Sequence, residues 1–407
     1  MVRPRLNLMS RSFNHTILAI SIAVILVVLL GGFGPAGVSA SQSDGAFRQM
    51  GVYEEVLHKI QTDYVTDPNL DKVTTGALHG LLESLDADSS YLTQSEYATY
   101  LAHQHEGQAR LGMDVSKRYG YGSVITVDPG GPAANAHIED GDLIESIGGE
   151  STREMSVAMI RLLLEGKPGT TVSFELVRRG KSEPDDLTLT RANVAPPSLS
   201  EQQYENSSIL YLKPGVLSRE RVDDIVARLR QMQKNGNKKV LLDLRDVAEG
   251  DPQQGIRLAN AFIQSGVIGL LQGQTVPMQT FTADPSKFVT SAPLVVLVNH
   301  GTAGAAEIVA GAILDDKRGQ VVGDRTFGEG AEEKTFTLPD GSALLLTVAK
   351  YETPSGKKIE DVAVTPDVPV SQSLQEMLPT DENPTPQEPR TDDQLNKALE
   401  LLKQKTA

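Results

Sequence analysis

The stretch Leu297–Gly330, LVNHGTAGAAEIVAGAILDDKRGQVVGDRTFGEG, decides the reading of this chain. A run of apolar residues gives a buried strand, the small residues after it give a turn, and a helix follows. That layout belongs to a loop that presents a nucleophile. The chain around it shows what the loop serves and what it lacks.

At 407 residues the chain is too long for one core, so two or three domains are expected. Hydrophobic content of 39% with 22% charged residues is that of a soluble globular protein. The formal net charge of −15 argues against nucleic acid as the main partner. The absence of cysteine excludes disulfides, thiolate catalysis and thiolate metal sites.

Residues 1–40 have the pattern of an export signal. Arg3, Arg5 and Arg11 form a positive start, Ile17–Leu30 an apolar run, and Val38–Ala40 a small-residue cleavage site. Cleavage after Ala40 is expected, with a retained inner-membrane anchor as the alternative. Either way the body is expected to be exported, periplasmic or extracytoplasmic, and to meet a membrane only through an uncleaved N-terminal segment.

In the body, Val56, Leu57, Ile60 and Tyr64 recur at helical spacing, and a second helix is expected over about Leu70–Leu85. These form a helical N-terminal region, 41–105. From Arg110 the pattern turns to short strands and glycines. Gly131–Gly149, GPAANAHIEDGDLIESIGG, is followed by an amphipathic helix, a Gly-Pro-Gly break and a strand. This order over 106–192 strongly resembles a PDZ domain. Arg110, Leu111, Gly112 and Met113 lie where PDZ domains bind a terminal carboxylate. Consecutive backbone N–H groups beside a glycine make a nest for such an anion, and the peptide then adds as a strand to the sheet edge.

After Pro196–Pro197, strands and helices alternate as in crossover units, through SILYLKP, KKVLLDLRD and PLVVLVN. This section is placed at 193–377, and an acidic, Pro-rich linker with a short C-terminal helix at 378–407.

Together these features resemble the carboxyl-terminal processing, or tail-specific, proteases, which are exported serine peptidases. The resemblance rests on GPAANAHIEDGD, LDLR, EIVAGAILDDKR and VGDRTFGEG and runs from LDADSSYL to TPDVPV. It implies a mixed, multidomain α+β fold: a helical N-terminal element, a PDZ domain and a crotonase-like α/β protease core. It also implies capture of protein C-termini, no cofactor and no metal, and a homodimer through the terminal helical regions or a complex with an active relative.

The family cleaves with a serine in a loop of the type SASASEI and a lysine in TFGKG. A serine hydroxyl needs a base, and a desolvated lysine can serve. Here the matching positions are Gly304 and Glu329, which keep the family's separation of 25. Where the family commonly has a glutamine four residues after the lysine, this chain has Glu333. Where it has DLRNNPGG, beside the oxyanion donors, this chain has DLRDVAEG, with Glu249 for a glycine. The oxyanion region then falls at Gly250 and Ala305. Glu249, Glu329 and Glu333 are expected to oppose a developing negative charge there. The resemblance therefore implies an inactive member acting as adaptor or regulator. The alternative is a rewired peptidase using Thr302 and His300, against the plainer reading that Thr302 shapes the loop. Lys334 could reach back as a base but would have no serine to activate. Asp246, Glu249, Glu329, Glu332 and Glu333 are oxygen ligands suited to a hard cation but lack the spacing of any loop motif. A solvated acidic cleft is the favoured reading.

Overall fold

A computed structural model of the chain describes residues 40–103, 109–118, 120–232, 234–371 and 391–405. The apolar run Ile17–Leu30 and most of the expected linker lie outside the described residues, and no described helix is long and apolar enough to cross a membrane. The described residues divide into two compact units, the boundary falling between Thr74 and Thr75.

Helix α1 covers Ala40–Asp63, longer at its N-terminal end than the periodicity predicts. Phe47, Met50, Tyr53 and Val56 lie exposed along it, as does Tyr64 just beyond its end. Helix α2, Leu70–Glu83, ends within two residues of the expected point.

The PDZ-like part is a sheet of strands β2 (Met113–Arg118), β3 (Tyr121–Val127), β4 (Leu143–Ile147), β6 (Thr171–Val177) and β7 (Asp185–Thr190), in that spatial order. The two-residue strand β5, Glu150–Ser151, pairs with β4. β1, Ser90–Leu92, belongs to a different sheet. Helix α3 is Gln94–His103 and α4 is the short Pro132–Asn135. Helix α5, Val157–Leu164, starts at Ser156, whose hydroxyl accepts from Met159 N–H. Ile160 and Leu164 on its buried side pack with Leu111, Val124, Ile144 and Phe174 as one core. Among the described residues β2 pairs only with β3, and its other edge lies beside α5.

The second part is built on a sheet ordered β17-β14-β13-β10-β9-β8. These are Val368–Pro369, Gln320–Gly323, Leu294–Val298, Lys239–Asp243, Ile209–Lys213 and Ser200–Tyr204, parallel except for β8. The interiors of the central strands are continuous apolar runs because both faces are covered. Leu210, Leu212, Val240, Leu242, Val296 and Val298 face helices α6 (Arg219–Gln231), α7 (Pro252–Phe262) and α8 (Ala305–Asp315). Ile209, Tyr211, Leu241, Val295 and Leu297 face helix α10, Asp393–Gln404. A second sheet holds β1, β11 (Val267–Gln272), β12 (Gln279–Thr282), β15 (Ala331–Thr337) and β16 (Ala343–Glu352), and helix α9 is the short Ile359–Val362. Leu271, Ala349, Tyr351 and Ile359 pack from this side on Ile308 of α8.

The C-terminal helix, one of the terminal helical regions offered for dimer contacts, has Ala398 and Leu402 buried against the chain's own sheet. The helix completes a core that would otherwise be open to water. It is anchored by Arg245, which donates to the fully buried Asp243 at 2.6 Å and to Asp392 at 2.9 Å. Tyr211 also donates to Asp243, at 2.9 Å. Arg245→Ala leaves Asp243 buried without its cation, and breaking such a pair costs about 3–5 kcal/mol. A large fall in denaturant midpoint is expected, with faster proteolysis of 391–405. A midpoint equal to the parent's would show that the network contributes no stability.

Candidate functional site

The loop of the opening stretch is built as its sequence predicts. β13 ends at Val298, the turn follows, and α8 begins at Ala305. Gly304 sits at the helix start with φ 57° and ψ −120°, in the left-handed half of the map where a side chain is strained. A Cβ there would meet only Ala248 O, at 3.7 Å, so the position is strained but not crowded. This is a sharp strand-to-helix elbow with nothing at its tip.

Glu307 ties the elbow to the loop that carries Glu329. It is fully buried one turn into α8, and its Oε2 accepts from Gly304 N–H at 3.1 Å and from Glu329 N–H at 2.7 Å. Its Oε1 accepts from Gly328 N–H at 2.9 Å and from the Thr326 hydroxyl. One carboxylate thus brings together the two positions that match the family's serine and lysine. Burial pushes its pKa up to about 8 in spite of these donors. Sequence reading missed Glu307, although a lone carboxylate inside AAEIVAGAIL is the kind of interruption that marks a buried polar role.

Gly250 and Ala305, the positions assigned to the oxyanion region, are neighbours. A Cβ on Gly250 would lie 3.1 Å from Ala305 Cβ and 2.7 Å from Leu217 Cβ. As the first helical residue, Ala305 has no intrahelical acceptor for its N–H.

Two of the three carboxylates expected to oppose an oxyanion, Glu329 and Glu249, are paired with arginines, and this is a correction. Glu329 turns its side chain to the PDZ part, where Arg161 Nη2 donates to it at 2.9 Å. Glu249 is held by Arg110 Nη1 at 2.9 Å, and Arg110 also pairs with Asp128 at 3.1 Å. Asp246 pairs with Lys213 at 3.0 Å and accepts from Asn299 Nδ2 at 2.7 Å. Glu332 accepts from Tyr351 at 3.4 Å. Among the described residues no group of three or more His, Asp or Glu is arranged to hold a metal ion. The pairs with Arg110 and Arg161 join residues 139 and 168 positions apart, which no local pattern reveals. The single signal was a lone arginine inside the apolar run AMIRLLL.

Thr302 is fully buried and its hydroxyl donates to Leu244 O at 2.8 Å while accepting from Asn299 N–H at 3.0 Å. His300 is exposed on the turn. The Thr302 hydroxyl is thus taken up by backbone of the turn and of the neighbouring strand end. Lys334 lies over the Phe336 ring at 5.2 Å, on the exposed strand β15 that also carries Glu333.

Beside the Arg161–Glu329 pair is a cavity of about 140 Å³ lined by Ala87, Asp88, Ser116, Lys117, Phe327, Gly328, Glu329 and Glu360. Burial, and then Glu329 against the pull of Arg161, pushes Asp88 up to about 6. Burial followed by Asp88 pushes Glu360 up to about 7, although Glu360 accepts from Gly330 N–H at 2.7 Å. A carboxyl whose pKa is higher folded than unfolded binds its proton more tightly in the folded state. Stability is therefore expected to fall as pH rises from about 5 through 7, and to be regained on acidification. Thermal melts at pH 5.5 and pH 8 test this. Asp88→Asn with Glu360→Gln should flatten the dependence, and a parent melting higher at pH 8 would refute it.

At the PDZ edge, Leu111 is buried in the core and Gly112 has φ 75°, with a Cβ there meeting Gly131 Cα at 3.2 Å. Arg110 N–H donates to Ala192 O at 2.9 Å, and Met113 opens β2. The four residues thus form a tight loop leading into strand β2.

Fold and elbow together define a class, a serine-peptidase scaffold with an attached PDZ domain. Residues 209–370 match Peptidase family S41 and residues 123–178 match a PDZ domain. The chain is 33% identical over 307 residues to the carboxyl-terminal-processing protease of Picosynechococcus sp., covering 73% of this chain and 70% of that one. It is 30% identical over 322 residues to the protein of the same name from Synechocystis sp., covering 77% and 75%. The solved structure of a photosystem II D1 C-terminal processing protease aligns with a TM-score of 0.65 and 28% identity, over 81% of this chain and 88% of that one. The chain belongs to the family of carboxyl-terminal processing proteases.

Proposed function

We propose that this chain is an exported member of the family that binds the C-terminal segments of other proteins without cleaving them, as an adaptor or as a regulator of an active relative. The observation that carries this reading is Gly304, which places no hydroxyl at the tip of the elbow. The lysine position supports it, because Glu329 is acidic and engaged by Arg161. Export rests on the signal pattern of residues 1–40 and is tested by cell fractionation of the full chain.

The purified protein should leave casein-like and tail-tagged substrates intact and should not react with a fluorophosphonate probe. Turnover that survives repurification would overturn the reading. A rewired peptidase gains nothing from the geometry, since the Thr302 hydroxyl already donates to Leu244 O.

Peptides with a free apolar C-terminal residue should bind through the loop Arg110–Met113 and the edge of β2. Amidation removes a charge-assisted hydrogen bond, worth about 1.5–3 kcal/mol, so a loss of roughly tenfold or more is expected. Equal affinity for free and amidated peptides would refute the carboxylate nest.

A further inference from the structure

The groove between β2 and α5 already holds a charged side chain. Arg161 lies on α5 and its Nε donates to Val115 O of β2 at 2.9 Å. Its Nη2 donates to Glu329 Oε1 of the core at 2.9 Å, and its side chain is 38% exposed. It is the one charged residue of the helix sequence VAMIRLLL. Lys117 on β2 is committed elsewhere, to Glu83 and to the carbonyls of Arg153 and Met155.

A peptide whose carboxylate rests on the loop Leu111–Gly112 and whose chain runs antiparallel to β2 places its last residue opposite Met113. Its third residue from the end then falls opposite Val115, and both side chains point to the same side of the added strand. The Val115 carbonyl is the acceptor that the third-from-last N–H would use, and Arg161 now occupies it. Binding must therefore move the guanidinium off Val115, while the ligand's third-from-last side chain arrives beside it. The carboxylate of Glu329 shows what that guanidinium pairs with.

We propose that Arg161 makes this groove select C-terminal segments with Asp or Glu at the third position from the end, Glu329 being the internal carboxylate that such a ligand replaces. The inference rests on the reading of the groove as a site for protein C-termini. Arginine suits the role, because its planar fork pairs with a carboxylate through two parallel bonds. The other α5 residues offer an incoming side chain only hydrocarbon or thioether.

The test uses the full chain and peptides that differ at one position, ending in Glu-Ala-Val, Gln-Ala-Val or Lys-Ala-Val with free carboxyl ends, read by fluorescence anisotropy. An amidated Glu-Ala-Val peptide is the control. The glutamate peptide should bind tightest, by about tenfold over the glutamine peptide, as expected for a charge-assisted bond, and the lysine peptide weakest. Arg161→Gln should abolish the preference and Arg161→Lys retain part of it. Glu329→Gln should tighten the glutamate peptide, because the competing carboxylate is gone, and should not tighten the lysine peptide, which then meets an unpaired guanidinium. Equal affinity for the three free peptides, with the amidated one weaker, overturns the role of Arg161 and leaves the C-terminus reading standing. Equal binding of amidated and free peptides, or binding by none, overturns that reading and this inference with it. If Arg161→Gln does not fold, Glu329→Gln decides, and unchanged affinity for the glutamate peptide counts against the proposal.

Discussion

Glu307→Ala is expected to cost the fold more than about 3 kcal/mol and to release the loop around Glu329. The carboxylate accepts from the N–H groups of Gly304, Gly328 and Glu329 and from the Thr326 hydroxyl, and it has no exposed surface. Alanine would leave these donors facing a void, and a buried donor without an acceptor costs about 1–3 kcal/mol. Glu307→Gln should lose less, because one oxygen remains, but its amide N–H₂ would then face donors and not acceptors. Thermal melts measure the loss, and hydrogen exchange locates it. The amides of Gly328 and Glu329 should exchange much faster in the alanine variant while those of β13 stay protected. Parent-like stability and exchange would show that packing alone holds the two loops together.

The second large effect is the appearance of a reaction. Gly304→Ser with Glu329→Lys restores serine and lysine at positions whose backbone N–H groups share one oxygen of Glu307. Space is available at Gly304, but φ 57° and ψ −120° impose a backbone cost of about 1–3 kcal/mol on a serine. The introduced lysine would lie beside Arg161, and a neighbouring positive charge lowers a lysine pKa in the direction a base requires. The single variants should remain inert, since a serine without a base is weakly nucleophilic and a lysine without a serine has no proton to take. The double variant should label slowly with a fluorophosphonate and turn over feebly. Adding Glu249→Gly and Glu333→Gln restores the family's residues at the two remaining positions. A quadruple variant that folds, binds peptide and stays inert would place the defect outside these four positions.

Much of the site was legible because it is written in short range. The strand, small-residue turn and helix over Leu297–Asp315 appear as periodicity and composition, and the glycine at the position matching the family's serine appears as one letter, Gly304. The same holds for the loop Arg110–Met113, whose glycine takes φ 75°. Thr302 was read as a loop-shaping residue for the reason its hydrogen bonds show: a hydroxyl in a tight turn is easily taken by nearby backbone.

What a sequence cannot display is the partner of a charge. Glu249, Glu329 and Glu333 read as a patch of like charge because spacing along the chain says nothing of what lies across a groove. Arg110 and Arg161 reach two of these carboxylates from the other domain, and the cluster of Asp88, Glu360 and Glu329 forms only when three distant segments meet. The amphipathic pattern of Asp393–Gln404 likewise marked a face to be buried but not the surface that buries it. Apolar periodicity and turn chemistry are decided within a few residues, so the sequence alone determined the elements, the family and the loss of the serine and lysine. Ion pairing and burial depend on which surfaces meet, so only the tertiary structure decided that Glu329 is held by Arg161 and that the C-terminal helix closes the chain's own core.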